Sequence, residues 1–294
     1  MSKFMLCLFC LLTILSCKEA SVSINYRIPI ATNGIVFHDD QLWVADLIGQ
    51  SITAVDPQTG KITQQFDFRP LNTSPDDMVI LDDGTIIWTA PVEGRAGKIK
   101  PNGEILVLTE QEASINPITQ NNMTGDIYIG HQNFEGELQQ IDVNSGITTT
   151  VTSGLPSLNA FAFTDDNTLY APLFNMNNLL DGFGGILKIN IATGQYENIP
   201  VSFPEEAQKT KFKNTSAIKK ADDESIYVLE STTPAVYKVD IQTNQAYRVG
   251  TLPSVAADNL AVDDQGNIYV TTFIQNVIYV FDRNGNRRKI TIQN

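Results

Sequence analysis

The stretch DNLAVDDQGNIYVTT, residues 258–272, reads as a β-hairpin: a short apolar strand, a polar turn around Gly266, and a second strand rich in Ile, Tyr and Val. The same phrase stands five more times in the chain. Its copies are NGIVFHDDQLWVAD from Asn33, DDMVILDDGTIIWTA from Asp76, NPITQNNMTGDIYIG from Asn116, NAFAFTDDNTLYAP from Asn159 and SAIKKADDESIYVLE from Ser216. The starts lie 43, 40, 43, 57 and 42 residues apart. After each copy comes a second apolar strand running into a tight turn, as in ITAVDPQTG, LQQIDVNSG and VYKVDIQTN. Each period therefore holds four antiparallel strands and no amphipathic helix of useful length. Four strands per ~40–45 residues is the period of a propeller blade. Six copies predict an all-β, six-bladed β-propeller with four antiparallel strands per blade, spanning residues 23–294. Closure is expected through the chain ends, with SINYRIPI (23–30) or RRKITIQ (287–293) as the outer strand of the last blade.

The chain has 294 residues and an acidic balance, 20 Lys+Arg against 33 Asp+Glu. Such a surface repels nucleic acid and anionic lipid, so neither is an expected ligand of the folded body. The N-terminus differs from the rest. Lys3 precedes an apolar run, residues 4–15, that is too short to span a bilayer as a helix and has the layout of a secretory signal. It ends Ile14-Leu15-Ser16-Cys17, which resembles the lipobox of bacterial lipoproteins. On that reading residues 1–17 are a signal peptide, Cys17 becomes the lipidated first residue, and 18–22 form a tether. The alternative is an ordinary cleaved signal. Cys7, Cys10 and Cys17 are the only cysteines. The mature body then has no disulfide, thiolate metal site or cysteine nucleophile. The expected location is a bacterial envelope, with membrane contact only through the lipid anchor and the body a monomer.

The repeats also place a site. In a propeller the first strand of each blade lines the central channel. One channel mouth then collects the starts of the first strands: Asn33, Asp76/Asp77, Asn116, Asn159, Thr215/Ser216 and Asp258/Asn259. It also collects the ends of the second strands: Asp46, Thr89, His131, Pro172, Glu230 and Thr272. Five blades bring a carboxylate or carboxamide to the same inner position. A calcium ion takes six to eight oxygen ligands of this kind, whereas zinc would recruit His or Cys. Against this stands local backbone capping, for which Asn and Asp before a strand are well suited. Facing carboxylates across a channel favour a cation for the set, because they repel without one. The turn acids, Asp263 and Asp264 among them, belong to the far face.

The stretches SPDDMVILDDGTIIWTAP, LNAFAFTDDNTLYAPL and ADNLAVDDQGNIYVTT resemble the regucalcin/gluconolactonase family of six-bladed, calcium-dependent propellers. The resemblance implies Ca2+ or another hard divalent cation at the channel mouth, polarising a lactone or ester carbonyl while a carboxylate or histidine activates water. Asn116 and Asn159 match the family's two central asparagines, and Asp258-Asn259 resembles the Asp-Asn pair of the related paraoxonases. Two positions depart. The family opens its first blade with Glu-Gly-Pro, where this chain has Asn33-Gly34-Ile35. Its fifth-blade Asp falls here on Thr215 or Ser216.

The expected metal set is accordingly Asp77, Asn116, Asn159, Asp258 and Asn259, with His131 and Asp258 as the candidate bases. Asn33, Glu230 and Phe174 are the candidate contacts to a small lactone, ester or sugar-like ligand. Phe174, Met176 and Phe183 lie in an insertion, 173–185, expected to cover the mouth, and a second insertion spans 201–214. The rival expectation is a non-catalytic binding or scaffold propeller, which the two departures favour. A third is a lyase opening a cyclic ester with His and a divalent ion.

Overall fold

The computed structural model describes residues 26–133, 135–174, 184–253, 256–273 and 275–294. Blade 1 holds β1 (Thr32–His38), β2 (Gln41–Asp46), β3 (Ser51–Val55) and β4 (Ile62–Asp67). Blade 2 holds β5 (Asp77–Ile80), β6 (Ile86–Ala90), β7 (Arg95–Ile99) and β8 (Ile105–Glu110). Blade 3 holds β9 (Ile115–Gln120), β10 (Ile127–His131), β11 (Gly136–Ile141) and β12 (Thr148–Leu155). In blade 4 these are β13 (Ala162–Phe163), β14 (Thr168–Pro172), β15 (Ile186–Asn190) and β16 (Tyr196–Ile199). In blade 5 they are β17 (Thr215–Asp222), β18 (Ser225–Glu230), β19 (Ala235–Asp240) and β20 (Gln245–Thr251). Blade 6 ends the chain with β21 (Ala257–Val262), β22 (Ile268–Thr272), β23 (Val277–Phe281) and β24 (Arg287–Thr291).

Every sheet runs in sequence order, four antiparallel strands to a blade. This is the six-bladed propeller the repeats predict. The polar turns do their expected work at the far face. Asp39 and Asp40 both take positive φ (49° and 58°), as a two-residue primed hairpin turn requires.

The core is a ring of interblade layers. One apolar cluster joins blades 1 and 2 around Trp88 and Phe68, whose rings meet edge to face at 5.0 Å. Others join blades 2 and 3, 3 and 4, 4 and 5, and 5 and 6. The last joins blade 6 back to blade 1, with Ile35, Val44 and Ile62 against Tyr269, Val280 and Ile290. Successive side chains of a strand point to opposite faces, so each blade feeds both neighbours and a flat sheet becomes a closed ring.

Closure decides between the two expected outer strands in favour of RRKITIQ. The outer strand of blade 6 is β24, from the C-terminal end, and residues 26–31 form no strand. Instead both ends settle on blade 1. Gln293 pairs with Lys61 through Ile62 N–H and Gly60 C=O, both 2.9 Å, while Arg27 N–H reaches Gln65 Oε1 at 3.0 Å. The open edge of β4 thus receives the chain after β24 and the lead before β1.

Candidate functional site

Pairing of the first and second strands fixes which end of the channel carries the candidates. Thr32 faces Asp46, Asp77 faces Thr89, Ile115 faces His131, Thr215 faces Glu230 and Ala257 faces Thr272. In four of the six blades the register slips by one residue at this end. The slipped positions are Asn33-Gly34, Asn116-Pro117, Ser216 and Asp258-Asn259. A bulge frees a residue from the ladder and re-aims its side chain. In these four blades the polar residues are thus presented by a backbone device that itself repeats, while Asp76, Asp77 and Asn159 come from blades without the slip.

The side chains so presented form a polar ring across blades. Asp76 stands between blades 1 and 3, accepting from Asn33 Nδ2 at 2.7 Å and Asn116 Nδ2 at 2.6 Å. Asp77 turns the other way, accepting from Asn259 Nδ2 at 3.2 Å and from the backbone N–H of Met78 and Ile118. Asp258 accepts from Asn159. Gly34 allows blade 1 to approach so closely: its N–H meets Asp76 C=O at 2.6 Å, and a Cβ there would collide with Asp76 and Asp77. Thr89 and Thr271 fasten the frame, donating their hydroxyls to the carbonyls of Asn116 and Asn33.

Electrostatics make this ring expensive to leave ionised. Burial pushes the Asp76 carboxyl well above the usual range, and the charges of Asp258 and Asp77 push it further. Asp258 rises to about 7 through burial and the charge of Asp77. Asp77 rises through burial, partly relieved by Lys219 on β17 and by its hydrogen bonds. Three buried carboxyls within electrostatic reach of one another favour protons or a cation.

Ligation and capping, the two readings open from the sequence, divide within the ring. Asp77, Asn159 and Asn259 each spend a side-chain oxygen on the next residue's N–H, at 3.0, 2.9 and 2.8 Å. Asn33 and Asn116 do not. Each is 4% exposed and holds a buried Oδ1 without a partner. A buried acceptor left unpaired costs about 1–3 kcal/mol, so these two oxygens are available to a water or a cation in the channel. Among the described residues no three His, Cys, Asp or Glu side chains converge closely enough to hold a metal by themselves. A hard cation here would need a mixed oxygen set, carboxylate from Asp76 and Asp258 with carboxamide from Asn33 and Asn116. That donor chemistry suits calcium.

Other predicted positions have different surroundings. His131, half-buried at the end of β10, has a buried Nε2 without a partner, and burial lowers its pKa so that the imidazole is neutral. Glu230 is fully buried, and both its oxygens are held by Lys209 Nζ at 2.9 and 2.8 Å, with Lys213 N–H adding a third bond at 2.6 Å. Lys209 also lies over the rings of Phe203, Phe212 and Tyr237 at 5.1, 5.6 and 5.3 Å. Glu230 therefore latches the 201–214 insertion onto blade 5. Phe174 is buried, and Met176, Phe183 and Cys17 lie outside the described residues. In blade 5, Thr215 and Ser216 donate to the carbonyls of Leu173, Gly185 and Ala257 and supply no acid to the channel.

Sequence reasoning passed over Lys219 and Gln132. Lys219 lies on the inner strand β17 and acts on Asp77; a lysine pair in an inner strand, KK at 219–220, was the available signal. Gln132 Oε1 accepts from Asn116 at 3.3 Å and had no repeat to mark it.

No protein-family model matches the chain, and no curated protein matches its sequence. Solved structures do match in three dimensions. Virginiamycin B lyase from Staphylococcus aureus superposes at TM-score 0.63 with 18% identity, over 90% of this chain and 85% of that one. The fold is shared. A gluconolactonase from Xanthomonas campestris gives 0.62 at 14% identity over 84% and 85% of the two chains. Regucalcin from Agrobacterium tumefaciens, a calcium-binding protein, gives 0.63 at 14% over 83% and 82%. At such identities the likeness is one of architecture, and proteins with different named activities share it.

Proposed function

We propose that this chain is a hydrolase of lactones or esters that works with a hard divalent cation, calcium for preference, at the channel mouth. The observation that carries this reading is the pair of unpartnered, buried Oδ1 atoms of Asn33 and Asn116 on either side of the raised Asp76 carboxyl. When bound, the cation would supply Lewis-acid polarisation of the substrate carbonyl. The chain's own groups supply the rest. Asn33, Asp76, Asn116 and Asp258 would hold the cation. Neutral His131, with Nε2 free, accepts a proton from water, while Asp258, whose rise to about 7 belongs to the ring without a cation, serves in this arrangement as a ligand. The choice of substrate class draws on the resemblance of the repeated stretches to the gluconolactonase type.

The test is metal analysis of the purified protein followed by a lactone and ester panel with and without EDTA. Stoichiometric calcium and chelator-sensitive turnover, both lost in Asp76→Asn, are expected. Chelator-resistant turnover, or full activity in an Asn159→Ala, Asp258→Ala double variant, would remove this site from consideration. A second reading, a binding propeller without turnover, draws on the missing fifth-blade acid; its mark is a metal that stabilises without any product. A lyase would be told apart by product analysis, since only hydrolysis takes up labelled solvent oxygen. The proposed setting is the bacterial envelope, with a monomeric body anchored through Cys17.

A further inference from the structure

Strand register sets a row of inner-strand residues below the polar ring, on the way to the far face. Val36 pairs with Trp43, Val79 with Ile87, Thr119 with Tyr128, Ala162 with Tyr170 and Ala261 with Tyr269. In blade 5 the same row holds Lys219, opposite Tyr227. Five members of the row are uncharged, and the sixth is a cation. Lys219 is half-buried, and among the described residues its side chain makes no hydrogen bond and no ion pair. Lys220 beside it is already engaged: Nζ donates to Thr164 C=O at 3.1 Å and meets Asp223 at 2.9 Å.

An ammonium among small uncharged side chains is costly unless an opposite charge answers it nearby. The answer lies across the channel. Blade 5 stands opposite blade 2 in a ring of six, yet the Lys219 charge reaches Asp77 at the start of β5. The channel is what separates β17 from β5, so the ammonium is directed into it. Asp77 is also the carboxylate least free to turn to an ion. Its Oδ1 accepts the Met78 N–H at 3.0 Å and Asn259 Nδ2 at 3.2 Å, and its Oδ2 accepts the Ile118 N–H at 3.3 Å. Two of these donors are backbone and fixed. Asp76 is held instead by the side-chain amides of Asn33 and Asn116, which can turn their oxygens to the same ion.

We propose that Lys219 is the fixed counter-charge of Asp77, leaving Asp76 and Asp258 as the two charges that select a single divalent ion at the channel mouth. This rests on reading the mouth as a cation site and gives that site its charge specificity. Ligand charge tunes the affinity of oxygen sites for calcium, and three unanswered carboxylates would favour a trivalent ion. One ammonium lowers the ring to the charge that one calcium neutralises. Lys219 is thus a specificity-determining residue that touches neither ion nor substrate.

The test compares calcium with terbium, a trivalent ion that takes similar oxygen ligands, by calorimetric titration and terbium luminescence on the purified chain. The parent is expected to bind one calcium. Lys219→Met should raise the ratio of terbium to calcium affinity by about ten-fold or more, because a like charge has left the channel. Lys219→Arg keeps the charge and should keep the parent ratio. Asp77→Asn added to Lys219→Met restores the net charge of the ring and should return the ratio to the parent value, which a merely structural role for Lys219 would not do. A ratio unmoved by Lys219→Met, or moved equally by Lys219→Arg, would overturn the proposal while calcium binding by the parent left the cation site standing. Absence of either ion from parent and variant alike would overturn both. The expected ratios without turnover on the lactone and ester panel would remove the hydrolase and uphold the role of Lys219.

Discussion

The polar ring predicts an unusual pH dependence of stability in the metal-free protein. In the unfolded chain Asp258 ionises near its ordinary 3.8, whereas in the fold burial and the Asp77 charge hold its proton until about 7. Between those values the native state binds more protons than the unfolded one, so stability is greatest at the acid end and falls as pH rises through 7. The interval corresponds to about 4 kcal/mol, taking 1.36 kcal/mol for each pH unit. Asp76, raised by burial and by Asp258, adds a loss of the same sign, and the two titrate as a coupled pair. His131 works in the other direction: its imidazole is kept neutral, and the stability this reflects is lost as pH falls through its ordinary 6.5.

Asp258→Asn separates these contributions, since His131 is common to both proteins. Urea unfolding in chelator is expected to show the variant nearly equal to wild type at about pH 4 and more stable by up to about 4 kcal/mol at about pH 8. Calcium should restore most of that difference to the wild type at the higher pH and little at the lower, where protons already neutralise the ring. A difference between wild type and variant that stays flat across this range would show that Asp258 does not carry a raised pKa, and the argument for a charge-hungry site would fall with it. The expected gain also identifies the residue as one kept at a cost in stability, which fits a binding role.

Lys209→Met leaves Glu230 buried without its partner and should cost about 3–5 kcal/mol in urea unfolding, much of which Glu230→Gln in the same chain recovers. Trp88→Ala opens the layer between blades 1 and 2 and is expected to destabilise by about 3–5 kcal/mol without changing calcium stoichiometry once folded. Gly34→Ala forces blade 1 away from Asp76 and Asp77, so calorimetric titration should show calcium affinity falling by ten-fold or more, while Gly84→Ala, at a far-face turn with open space around it, leaves affinity unchanged.

The propeller was legible because its signal is written six times, and a period survives noise that would hide a single hairpin. Polar turns and alternating strands also act over a few residues, so their meaning is local. Closure was not local: nothing in RRKITIQ or SINYRIPI says which of them takes the outer position of blade 6, and RRKITIQ took it as β24 while Gln293 and the lead before β1 settled on the edge of β4. The candidate site shows the same division. The repeats brought Asn33, Asn116, Asn159 and Asp258 to one mouth together with the Asp76-Asp77 pair, and the expected metal set took Asp77 where the structure puts Asp76 between Asn33 and Asn116. What separates them is a choice of neighbour made far along the chain, with Asp76 taken by Asn33 and Asn116 about 40 residues away and Asp77 by the backbone and by Asn259 at the other end of the propeller. Glu230 was placed at the mouth by the same repeat. Its carboxylate is nonetheless spent on Lys209, from an insertion that breaks the period. Repeats therefore locate the frame of a site, and the residues that depart from the repeat decide which members of the frame remain free to bind.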